Sequence, residues 1–186
     1  MNNIKKFYEN IKDDIFSVKS LGWGSEESQK IRFENLVDQI DINASILDVG
    51  CGYGDLSKNF INYHGIDIRE DAIIEAKKRY TNKYFEVNTI QNIIKKYDWV
   101  IASGIFCHYN KDNLKYIKNN LIDMYNICNN GLAINFLSTY SKNKNKNMYY
   151  ASPIDVLGII ENNLSKKYIL KTNYLPNDFT FVIFKQ

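Results

Sequence analysis

The sequence predicts an α/β fold, a mostly parallel sheet with helices on both faces and an antiparallel hairpin at its C-terminal end. Three observations carry this. From about residue 45 onward, short apolar runs alternate with helical patterns, the order that builds parallel sheets. Gly50, Gly52 and Gly54 follow the first apolar run, where a strand feeds a helix. The last β-rich runs, "KKYILKTNYL" and "DFTFVIFK", are separated only by "PN", too short for a crossover but right for a hairpin.

The elements follow in order. Ile4, Phe7, Tyr8 and Ile11 recur at helical spacing. After the break "LGWGS", Ser25 stands as an N-cap with Glu26 and Glu27 in the first turn. The helix that follows places Phe33, Leu36, Val37 and Ile40 on one face. "SILDVG" reads as the first strand, residues 55–60 as a short helix and "YHGIDI" as the second strand. A helix from about Glu70 to Tyr80, the strand "YFEVN" and the strand "WVIASG" come next. A helix from about Lys111 to Cys128, the strand "GLAINFLS" and a helix near Pro153 to Leu164 precede the hairpin. With 186 residues the chain reads as a single domain. Residues 1–42 form an N-terminal helical cap or lid and residues 43–186 the core.

Composition narrows the function. A net charge of +3 with pI near 8.6 is too mild to predict a nucleic-acid face, which shows as a clustered patch on a more basic domain. Only three of the 24 basic residues are Arg (Arg32, Arg69, Arg79), so the Lys excess reads as compositional bias. Cys51, Cys107 and Cys128 give an odd count without paired spacing, which indicates neither a disulfide framework nor a zinc site. The N-terminus lacks an apolar signal core, no run approaches a membrane span, and a reducing cytoplasm is expected.

The glycine loop is the informative stretch. In sheets of this kind ligands bind beyond the carboxyl ends of the strands, at the topological switch point. The dinucleotide fingerprint fails because Asp55 stands at its third position, and no GK[ST] follows for a phosphate loop. Asp48 precedes the first glycine by two residues, and Asp67 ends the second strand, where a carboxylate accepts ribose hydroxyls. The expected ligand is a nucleoside without a pyrophosphate.

"ILDVGCGYG", "GIDI" and "DWVIASGIF", in that order, resemble the class I S-adenosylmethionine-dependent methyltransferases. The resemblance runs over roughly residues 30–186. It implies a Rossmann-like, doubly wound, seven-stranded sheet and S-adenosyl-L-methionine as cofactor. "LGWGS" and "NYLPNDFT" further resemble small stand-alone bacterial members. By position, the resemblance implies that Gly50 and Gly52 contact the methionine part, with Cys51 between them, and that Asp48 orders the loop. Asp67 would hold the ribose, with Ile68 beside it. Asn88 and Thr89 would lie near the adenine, at a place where the family often has an acid. Ser103 and Gly104 would border the amino group and the transferred methyl.

Acceptor-side candidates follow. His108 is either a general base or a capping residue, since imidazole titrates near working pH. Cys107 reads as inert packing and His64 as structural. Tyr140, with Tyr149 and Tyr150, either walls an acceptor pocket or packs a lid. Trp23 either covers the cofactor or staples the start of the helix. Arg32 either forks onto the methionine carboxylate or makes an ion pair. The lysines of "SKNKNKN" either attract an acidic acceptor or are simply solvated. No metal is expected, because no His/Asp/Glu cluster has ligand spacing.

No "DPPY" or "NPPY" follows the fourth strand and no Pro-Cys pair is present. The expected function is therefore methyl transfer to O or N of a small-molecule acceptor, by a monomer or homodimer. The alternatives are an RNA or protein methyltransferase that relies on a partner, and a non-catalytic cofactor-binding regulator. Neither a membrane nor a nucleic acid is an expected partner.

Overall fold

The computed structural model describes Ser17 and residues 24–186. The amphipathic segment from Ile4 to Ile11, and Trp23, lie outside the described residues. Helix α1 (Glu26–Val37) leads into strand β1 (Ser45–Val49), a 3₁₀ turn (Asp55–Asn59), strand β2 (Asn62–Asp67) and helix α2 (Glu70–Arg79). Strands β3 (Tyr84–Val87) and β4 (Tyr97–Ala102) precede helix α3 (Asn113–Ile127), strand β5 (Cys128–Leu137) and helix α4 (Pro153–Asn163). Strands β6 (Tyr168–Lys171) and β7 (Asp178–Phe184) close the chain.

The seven strands lie in the order β3-β2-β1-β4-β5-β7-β6. Pairings among the first five are parallel, while β7 runs antiparallel to both β5 and β6. The order reverses between β1 and β4, so the expected doubly wound sheet and its switch point are present.

Side-chain alternation explains the apolar runs. On β1, Leu47 and Val49 face the layer of α3 and α4, while Ile46 faces the layer of α1 and α2. On β4, Val100 and Ala102 take the first face, and Trp99 and Ile101 the second. A strand covered on both sides has no polar face to show, which is why these runs read as continuous. A fully buried Leu or Ile stabilises by about 1.5–3 kcal/mol, and Ile46, Leu47 and Ile101 are each 0% exposed.

Helix starts follow their caps. Ser25 and Ser28 form a reciprocal capping box at α1, Asp112 caps α3, and Ser152 caps α4 with Pro153 at its first position. Leu36 of α1 is fully buried, with Phe33, Val37 and Ile40 packed against the same cluster. This helix lies over β5 and β7.

Two boundaries differ from expectation. Strand β5 begins at Cys128, directly after α3, because Cys128 already pairs with Tyr97 before a register shift. The hairpin connection is wider than "PN" and spans 172–177. Its backbone is drawn off the sheet: the Ser138 amide donates to the Asn177 carbonyl at 2.8 Å, and Ser141 Oγ to Asn177 Oδ1 at 2.6 Å.

Candidate functional site

The carboxyl ends of β1, β2, β4 and β5 open into a cavity of about 710 Å³, within the range of small-molecule sites. Asp67, Ile68, Asn88 and Thr89 line it beyond the ends of β2 and β3, and Gly50, Cys51, Gly52, Ser103 and Gly104 beyond those of β1 and β4. Its far end is lined by Arg32, His108, Met148, Tyr150 and Asp178. Thus every expected cofactor-side residue that is described, Asp48 included, lines one cavity.

The loop after β1 turns through left-handed backbone at Gly50 (φ 75°), Gly52 (φ 54°) and Gly54 (φ 77°). A Cβ at Gly50 would also run into Ile105 Cγ2, so conformation and space both demand glycine. The loop's Gly50, Cys51, Gly52 and Gly54 amides are bonded within the protein. Gly50 and Cys51 donate to the Ile66 carbonyl at 2.8 and 3.0 Å, and Gly54 donates to the Cys51 carbonyl at 2.9 Å. The Gly52 amide donates to Asp67 Oδ2 at 2.9 Å.

This corrects the role expected for Asp48. Its carboxyl accepts from the Tyr63 hydroxyl at 2.5 Å, and the loop is ordered instead by β2, through Ile66 and Asp67. Burial pushes the Asp48 carboxyl up to about 7, the Tyr63 bond opposing and the neighbouring Asp67 charge assisting. Asp67 is held by two amides, Gly52 on Oδ2 and Arg69 on Oδ1, the latter at 2.9 Å. Burial raises its pKa as well, against the pull of those amides. Each oxygen retains a lone pair beyond its amide, which fits a pair of vicinal hydroxyls.

Asn88 is fixed by its neighbours. Its Oδ1 accepts from the Thr89 amide at 2.9 Å and from Asn92 Nδ2 at 3.0 Å, while its Nδ2 donates to Glu86 at 3.1 Å. At the β4 exit, Gly104 (φ 78°) donates its amide to Asn135 Oδ1 at 3.0 Å, and Asn135 Nδ2 donates to Ser103 Oγ at 2.8 Å.

Arg32 is spent on an ion pair. Its Nε and Nη2 meet Asp178 Oδ1 and Oδ2 at 2.6 and 3.0 Å, with side chains 13% and 3% exposed. The pair ties α1 to the start of β7. His108 is 6% exposed, and burial lowers its pKa, which favours the neutral ring. The Cys107 thiol donates to the Gly104 carbonyl at 2.9 Å, and burial pushes it up to about 11. It stays protonated and is no nucleophile.

Tyr140 is 67% exposed and does not line the cavity. Met148 and Tyr150 take the wall assigned to it, because Tyr149 donates its amide to the Cys107 carbonyl at 2.9 Å and turns this segment inward. The lysines of "SKNKNKN" are exposed, while Asn145 between them reaches the cavity. His64 bonds Tyr97 through Nδ1 at 2.5 Å and lies 3.2 Å from Glu86, away from the cavity. Among the described residues no group of three or more His, Cys, Asp or Glu side chains converges as a metal site. Among them, too, no helix is long and apolar enough to cross a membrane.

Among the cavity residues not singled out in the sequence are Asn135 and Asp178, which hold Gly104 and Ser103 on one side and Arg32 on the other. The available signals were faint: one amide inside the apolar run "GLAINFLS", and one acid opening "DFTFVIFK".

Comparison with known proteins places this geometry. Residues 40–174 match a family model described as a methyltransferase domain. No curated protein matches the chain in sequence. Magnesium protoporphyrin IX methyltransferase from Synechocystis PCC 6803, solved with bound SAH, superposes with a TM-score of 0.70 at 15% identity over 100% of this chain and 94% of that one. The N-methyltransferase NodS from Bradyrhizobium japonicum gives 0.67 at 12% identity over 88% and 99%. An S-adenosylmethionine-dependent methyltransferase from Clostridium acetobutylicum gives 0.64 at 12% over 99% and 98%. At these identities the solved structures establish the shared fold.

Proposed function

Since the chain belongs to the class I S-adenosylmethionine-dependent methyltransferases, we propose that it methylates an oxygen or nitrogen of a small-molecule acceptor. The observation that carries this is the single cavity running from Asp67 to Asp178. Its volume of about 710 Å³ leaves room for an acceptor beside the cofactor, and its far end is walled by side chains of α1, the β5 exit and the hairpin. S-adenosylmethionine, when bound, supplies an electrophilic methyl on its sulfonium.

The chain's own residues do the rest. Asp67 would accept the ribose hydroxyls, the Cα surfaces of Gly50 and Gly52 would allow close approach of the methionine chain, and Asn88 and Thr89 would border the adenine. Phe33, Phe106 and Met148 give the cavity apolar lining, and positioning is the main catalytic contribution of such a site. Neutral His108 takes the proton where the acceptor carries one. Gly24, the first residue of the continuously described stretch, lines the cavity.

The test is incubation of the protein with methyl-labelled S-adenosylmethionine and a metabolite extract, followed by mass spectrometry. Label in a small molecule is the expected result. Label appearing only in added RNA or protein would move the activity to a macromolecular acceptor. Binding without transfer to any pool would make the chain a cofactor-binding regulator.

A further inference from the structure

Building on the reading of this cavity as an S-adenosylmethionine site, we infer that Asn135 is a positioning residue that makes the Ser103 hydroxyl a donor to the methionine carboxylate. The carboxylate of that ligand needs hydrogen-bond donors, and two obvious sources are committed elsewhere. The loop amides of Gly50 and Cys51 go to the Ile66 carbonyl and that of Gly52 to Asp67. The Arg32 guanidinium forks onto Asp178.

Hydrogen positions at the β4 exit follow from a chain of constraints. A backbone N–H only donates, so the atom of Asn135 that lies 3.0 Å from the Gly104 nitrogen is the amide oxygen. That fixes the amide's orientation and puts its NH₂ 2.8 Å from Ser103 Oγ. An NH₂ only donates, so Ser103 Oγ accepts there, and its own hydrogen points away from Asn135. Ser103 lines the cavity, and the hydrogen serves an oxygen within it. An exposed serine rotates its hydroxyl to suit any neighbour. Here Asn135 is 3% exposed and held by β5, so the polarity of Ser103 is set before the ligand arrives. Strands β1 and β4 are neighbours in register, Val49 opposite Ala102, so a methionine chain laid over Gly50 and Gly52 brings its α-carboxylate within reach of the Ser103 hydroxyl.

The experiment is calorimetry with two probes. One is S-adenosylhomocysteine, and the other is its decarboxylated form, which keeps the nucleoside and the amine. Ser103→Ala is expected to weaken the first about tenfold or more, the usual effect of losing a hydrogen bond to a charge, and to leave the second within about twofold. Asn135→Asp keeps an oxygen for Gly104 but turns the Ser103 hydrogen toward itself, so it should also weaken the carboxylate-bearing probe. Ser103→Thr, which keeps the hydroxyl, should restore affinity. Equal weakening of both probes by Ser103→Ala, or of neither, overturns the assignment. If the unaltered protein binds neither probe, the cofactor site itself falls, and this inference with it.

Discussion

Removing the Arg32 guanidinium should destabilise the protein more than any single change at an exposed charge. In Arg32→Met the aliphatic stem is roughly kept, but Asp178, whose side chain is 3% exposed, loses two charge-assisted bonds of 2.6 and 3.0 Å. Bonds of this kind are each worth about 1.5–3 kcal/mol. The heavier penalty falls on the carboxylate left buried without its counter-charge, and breaking one side of such a pair costs about 3–5 kcal/mol. Against a total stability of about 5–15 kcal/mol, that is a substantial fraction. Urea unfolding followed by far-ultraviolet circular dichroism should show a lower midpoint with an unchanged slope. Arg32→Lys should fall between the two, because a point charge cannot span both carboxylate oxygens. The double variant Arg32→Met with Asp178→Leu should recover most of the loss, since a well-packed apolar pair can equal a buried ionic one. A loss below about 1 kcal/mol in Arg32→Met, the range of exposed pairs, would refute the view that this contact is buried and anchors α1 to β7.

Four further outcomes are expected. Asp67→Ala should weaken S-adenosylhomocysteine binding by more than about tenfold in calorimetry, one decade being about 1.4 kcal/mol, and unchanged affinity would remove Asp67 from the ribose site. Asp48→Asn should become progressively more stable than the parent as pH rises from about 4 to about 7. The folded carboxyl binds its proton up to about 7, against an ordinary value of 3.8. Stability contributed by protonated Asp48 is therefore full below the unfolded value and lost as pH rises through the folded one; a pH-independent gap in unfolding midpoints would contradict this. His108→Ala should lower turnover on the order of a hundredfold for an acceptor that must lose a proton, with the acid limb of the pH–rate profile abolished. Deleting residues 1–24 should cut turnover while far-ultraviolet circular dichroism is retained, and full activity would leave the cavity closed by the sheet-end loops alone.

The order of residues was enough to specify the layers, the doubly wound sheet and the glycine loop that lines the cavity. Burial on both faces turns strands such as β1 and β4 into unbroken apolar runs, and capping residues such as Ser25, Asp112 and Ser152 mark helix starts. Gly50 and Gly52 announce themselves because left-handed backbone admits few other residues. All of these are local signals, legible within one turn or one strand.

Which distant groups meet was settled only by the folded sheet. Arg32 finds Asp178 across 146 positions of sequence, and Asn135 reaches the β4 exit only because β4 and β5 pair in parallel register, Ala102 opposite Ile134. Asp48 turned to Tyr63 because the register of β1 on β2 sets its face against that hydroxyl, leaving the Ile66 carbonyl and Asp67 to hold the loop. Tyr140 and Tyr150 are indistinguishable by type, yet one lies in solvent and the other in the cavity, where the Tyr149 amide bonds the Cys107 carbonyl and the Asn145 amide bonds the Tyr150 hydroxyl. Periodicity tells which face of an element a residue occupies. The partner on that face depends on strand register and loop path, and these are fixed only when the whole sheet closes its contacts.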